Sequence, residues 1–132
     1  MKKTTTIDKN FKGLTFTNGR FIYNGDLIIN NNVIVEVKDL VVDGDLIVDG
    51  DLTAAGNVSA DNIFVAGDLI VDGDLIARDK VVVNGNATIA GTIRTKLVSA
   101  ENITAENIVV DKLLNINGNI SVSGKIYAPF AF

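Results

Sequence analysis

Aliphatic residues in this chain recur in pairs two positions apart, and a short polar stretch follows each pair. The pairs run Leu27/Ile29, Val33/Val35, Leu40/Val42, Leu46/Val48, Leu52/Ala54, Val58/Ala60 and Ile63/Val65, and continue to Ile120/Val122 and Ile126/Ala128. A spacing of two puts both members on one side of an extended strand, so the pattern predicts three-residue strands with one apolar face. The repeating unit reads Gly, then Asp or Asn, then aliphatic, any, aliphatic. It is clearest in GDLIIN (25–30), GDLIVD (44–49 and again 67–72) and GNATIA (85–90). Where glycine is missing a shorter version stands in its place, as in SAENIT (99–104) and TAENIV (104–109). Gly and Asn reach the positive φ of a tight corner, and Asp can bond neighbouring backbone. A helical reading fails, because the period is not 3.6 and each recurring glycine would cost a helix about 1 kcal/mol.

Strands this short make a poor meander but stack well as coils. Three strands and three corners close a triangular coil, and every third strand lies above its predecessor. Strand starts at 27, 46, 63, 81, 98 and 114 give coil lengths of 19, 17, 18, 17 and 16 residues. About six coils of 16–19 residues, from Phe21 to Ala128, make a rod of roughly 29 Å at about 4.8 Å per coil. The expected fold is all-β, a single-stranded parallel β-helix (β-solenoid) of triangular cross-section. Its expected divisions are an N-terminal tail and cap (1–20), the β-helix domain (21–128) and an aromatic C-terminal tail (129–132).

Two solenoid families use hexads. Hexapeptide acyltransferases place Gly directly after the main inward aliphatic and use a catalytic His. Here Gly falls two residues after it, as in Val48-Asp49-Gly50, and the chain has no His. The runs VVDGDLIVDGDLTAAGNVSADNIFVAGDLIVDGDLIARDKVVVNGNATIAG (41–91) and LLNINGNISVSGKI (113–126) instead resemble bactofilins, the bacterial polymer-forming cytoskeletal proteins. That resemblance implies a right-handed triangular β-helix that joins end to end, without nucleotide, into non-polar filaments. The expected location is cytoplasmic, and since some bactofilins bind membrane through a short N-terminal peptide, the inner face of the membrane is the alternative place within it. Bactofilins usually carry longer Pro-rich tails than this chain does.

A solenoid's first and last coils expose unpaired backbone and bare core, which template pairing unless blocked. The aromatic residues mark these ends. Phe11, Phe16, Phe21 and Tyr23 precede the central coils, Tyr127, Phe130 and Phe132 follow them, and Phe64 alone sits mid-rod. Phe16 and Phe21 at one end, with Tyr127, Phe130 and Phe132 at the other, are the expected polymerisation interface. The uncharged Tyr-Ala-Pro-Phe-Ala-Phe tail offers little to cover a coil, whereas the longer N-terminal tail is the better cap. Between each inward pair one residue faces water. On one face that column reads Ile28, Ile47, Phe64 and Val82 before turning polar at Ser99 and Asn115, which makes a candidate lateral interface.

Composition narrows the functions. The 132 residues include no Cys and no His, which removes thiol nucleophiles, imidazole bases and Cys/His zinc sites. The three Asp-Gly-Asp corners (43–45, 49–51 and 72–74) fall in different columns, so they cannot converge on one hard cation. A rod without long loops offers no cleft, so no enzyme activity, cofactor or metal is expected. A net charge of -4 argues against nucleic acid as a partner. Basic residues at 2, 3, 9 and 12 suit weak contact of residues 1–12 with an anionic membrane. The partner expected first is the chain itself. The alternative is a non-polymerising spacer or binding module of the phage-fibre or adhesin type.

Overall fold

The computed structural model describes residues 4–8, 11–36 and 39–131. Among them every regular element is a β-strand, and all the strands join in one sheet wound into a solenoid of about six turns. Three faces form, as the spacing of inward pairs predicts. On the first face Leu27–Ile29, Leu46–Val48, 63–65, 81–83, 98–100 and 114–116 stack in parallel, followed by Phe130–Ala131. The second face stacks Thr4–Ile7, Asn32–Val35, Leu52–Ala54, Leu69–Val71, 87–89, 103–105 and Ile120–Val122. The third stacks Arg20–Asn24, Asp39–Asp43, 58–60, 75–77, 93–95, 108–110 and Ile126–Tyr127.

Both members of each central pair point into a single core. Leu46, Leu52, Ile63, Leu69, Leu75, Ile93 and Ile108 are fully buried. The second members are often small, as at Ala54, Ala60, Ala77 and Ala105, which lets three faces converge on a narrow axis. Thr95 holds one of these inward places between Ala77 and Val110, and its buried hydroxyl has no hydrogen-bond partner.

The corners do more than turn the chain. At the corner between the first and second faces, the Asn32 Oδ1 accepts the Asp51 N–H, the Asp51 Oδ1 accepts the Asp68 N–H, and the Asp68 Oδ1 accepts the Asn86 N–H. The Asn102 amide then donates to the Asn86 Oδ1, and the Asn102 Oδ1 accepts the Asn119 N–H. A second ladder climbs the next corner through Asp39, Asn57, Asp74, Thr92, Asn107 and Lys125. Each rung ties one coil to the next and contributes about 1 kcal/mol net. Where a rung is a backbone N–H, the glycine before it makes room, as at Gly50, Gly67, Gly85 and Gly118. A Cβ on Gly50 would sit 2.5 Å from the Asn32 Oδ1 and 2.9 Å from the Asn31 carbonyl. The repeated Gly-Asx is therefore an inter-coil staple rather than only a turn signal.

The N-terminal segment, expected as a tail and cap, adds strands to the stack. Thr4–Ile7 adds a parallel strand beneath Asn32–Val35, and Ile7 is fully buried. Leu14–Thr17 then folds back on Arg20–Asn24 as an antiparallel hairpin. Its turn is Asn18-Gly19, both at positive φ, which is the preferred chemistry for a two-residue hairpin loop.

Candidate assembly surfaces

The two ends of the rod differ. At the N-terminal end Ile7 closes the core, Phe11 and Leu14 pack against it, and the hairpin covers the lower edge of the third face. Phe21 is 3% exposed, one of the core side chains, with the Phe16 ring tilted against it at 5.4 Å between centroids. Phe16 itself is 51% exposed. Of the two aromatics expected to meet a partner here, Phe21 lies inside and Phe16 is on the surface.

At the C-terminal end the described side chains of the last coil are only partly covered. Ile120 and Ile126 occupy inward places of the last coil, stacked on Ile103 and Ile108, which are 1% and 0% exposed. Yet Ile120 is 40% exposed and Ile126 49% exposed. Their outward neighbour Tyr127 is 61% exposed. Phe130 contributes backbone to the strand that pairs with Leu113 and Leu114. Its side chain, like all of Phe132, lies outside the described residues. Ile120 and Ile126 were not singled out by the sequence, because their local pattern matches every buried pair below them. The only signal is position in the stack.

The first face carries the expected apolar column. Ile28, Ile47 and Phe64 are direct register partners, and Val82 follows above Phe64. Ile28 is 60% exposed, whereas Ile47, Phe64 and Val82 are half-buried around a shallow, open depression of about 310 Å³. The Lys80 Nζ stands 5.4 Å from the Phe64 ring centroid, within cation–π range. The three Asp-Gly-Asp motifs lie at three different corners, since Gly44, Gly50 and Gly73 stack above Gly25, Asn31 and Gly56 respectively. No helix among the described residues is long and apolar enough to cross a membrane.

These features define a β-solenoid with one plugged end, one partly covered end and an exposed apolar stripe. Residues 7–106 match the sequence profile of the Bactofilin family, described as polymer-forming cytoskeletal. The chain belongs to that family, a structural one. Comparison with curated proteins and with solved structures gave no match.

Proposed function

We propose that this protein is a filament subunit of a cytoplasmic scaffold, polymerising without nucleotide by end-to-end stacking of solenoids. The observation that carries the reading is the half-exposed Ile120 and Ile126 at inward core positions. A second solenoid set on this end would bury them and continue the sheet, giving partners to strand backbone at the edge. Tyr127 lies beside that contact, and the proposal extends the interface to Phe130 and Phe132. The N-terminal end offers Phe16 on a closed surface, so it forms the smaller junction. Family membership supports self-association, and the symmetric C-to-C and N-to-N arrangement follows from the bactofilin resemblance. No catalytic step is assigned to the rod.

Weak contact with an anionic membrane through residues 1–12 accompanies this reading. Thr4–Ile7 is held in the stack, and Lys2, Lys3, Lys9 and Lys12 flank it in the sequence. Of these only Lys12 lies among the described residues.

The test is negative-stain electron microscopy of the purified chain at micromolar concentration, with light scattering alongside chromatography. Long filaments a few nanometres wide are expected. A stable 14.0 kDa monomer would refute polymerisation and favour the spacer or binding module.

A further inference from the structure

Charge is distributed unevenly along the rod. Residues 20–74 hold eleven acids and two bases, whereas residues 75–132 hold four acids and six bases. The asymmetry is sharpest at the corner between the third and first faces, beside the apolar column. Its lower three levels carry Asp26, Asp43, Asp45 and Asp61, and its upper three carry Arg78, Lys80, Lys96 and Lys112 with Asp79 and Asp111. Within the subunit only two long, exposed ion pairs join these groups, Arg78–Asp61 and Lys96–Asp79, each at 3.5 Å.

We infer that the first face is a docking surface for a second copy of this chain lying antiparallel to the first. A two-fold axis across the face, midway between the Phe64 and Val82 levels, turns this corner onto itself upside down. Asp61 then meets the partner copy's basic Lys80 level, Asp43 and Asp45 meet its Lys96 level, and Asp26 meets its Lys112 level. Phe64 faces Val82 at the centre, filling the depression between them. The face's other corner has acids only, and the antiparallel arrangement leaves it one acid–acid level, Asp49 and Asp51 against Glu101. A parallel pair fares worse, because it sets Asp43 and Asp45 against Asp49 and Asp51, and Asp61 against Asp68. Like charges opposed in this way select against the wrong orientation.

The area explains when this pairing occurs. A face about 10 Å wide along three residues and roughly 29 Å long offers about 300 Å². A stable protein pair buries about 800 Å² per partner. One subunit therefore cannot hold another by this face, but a filament repeats the contact at every subunit and the weak contacts add as avidity. Lateral pairing thus rests on the end-to-end reading and belongs to filaments, not to free subunits.

The experiment compares filaments of the natural chain, Lys96→Glu, Asp43→Lys and the double variant Lys96→Glu/Asp43→Lys by electron microscopy in low salt. Lys96→Glu places an acid opposite Asp43 and Asp45 and is expected to give solitary filaments, with paired length reduced at least tenfold. Adding Asp43→Lys should restore the pairs. The orientation is read from Asp43→Lys alone: it opposes Lys96 in antiparallel pairs and should separate them, whereas in a parallel pair it would face Asp49 and Asp51 and strengthen pairing. Pairs that persist in Lys96→Glu, a double variant that stays solitary, or solitary filaments of the natural chain would each overturn the inference while leaving polymerisation intact. A natural chain that forms no filaments would overturn both.

Discussion

Replacing Ile120 and Ile126 together by lysine tests the C-terminal end directly. Complete burial of an isoleucine is worth about 1.5–3 kcal/mol, so the exposed 40% and 49% leave about 1 kcal/mol per residue to be gained. Two such ends meeting bury four of these side chains, about 4 kcal/mol or roughly a thousandfold in association constant. Lysine forfeits that gain and must also desolvate an ammonium, so the thousandfold is a lower bound. The subunit itself should survive, because the coil beneath keeps Ile103 and Ile108 buried and both substitutions lie on the surface. Pelleting across a concentration series measures the critical concentration, and far-UV circular dichroism with a urea titration reports on the fold. Because only every second junction of an alternating filament is a C-terminal one, the critical concentration is expected to rise by the square root of that factor, at least about thirtyfold, with stability changed by about 3 kcal/mol or less. Unchanged filament yield from a natively folded double variant would show that the subunits do not join through this end.

Phe16→Lys at the other end should halt assembly at dimers joined by their C-terminal ends, twice the 14.0 kDa subunit mass in light scattering; long filaments from this variant would refute alternating junctions. Thr95→Val exchanges an unpartnered buried hydroxyl for a methyl and should stabilise by about 1 kcal/mol, raising Tm by about 3–5 °C. A lowered Tm would mean that the hydroxyl has a partner. Gly50→Ala forces a methyl against the Asn31 carbonyl and the Asn32 rung, and should cost about 1–3 kcal/mol in a urea titration. Indifference to this change would remove the staple's role. Lys2→Ser/Lys3→Ser should weaken flotation with anionic vesicles by about 1 kcal/mol per base, and an unchanged yield would dismiss the membrane contact. Point substitution suits this last test better than deletion of residues 1–12, which would also remove the Thr4–Ile7 strand and its buried Ile7.

Much of this architecture is legible in the sequence because a solenoid is nearly one-dimensional. The period of two fixes which side chains of Leu46-Ile47-Val48 point inward, and the Gly-Asx punctuation fixes where the chain bends. Corner counting even gives the right vertical neighbours on the first face, Ile28 under Ile47 under Phe64. Other features are decided only by the third dimension. Ile103/Ala105 and Ile120/Val122 are the same local pattern, yet only the first pair has a coil above it and is buried. The Asp side chains that a sequence assigns to local turn bonding reach instead to the next coil, seventeen to nineteen residues away, because stacking brings that N–H within 2.9 Å. Asn18-Gly19 has the same Asn-Gly chemistry as the corners, but at the end of the stack it closes an antiparallel hairpin. Asp26, Asp45, Lys80 and Lys96 are scattered through seventy residues of chain, and only the pitch of the coil sets them on one edge. Local pattern determines each strand and its inward face; what lies above, below and beside it is a property of the stack.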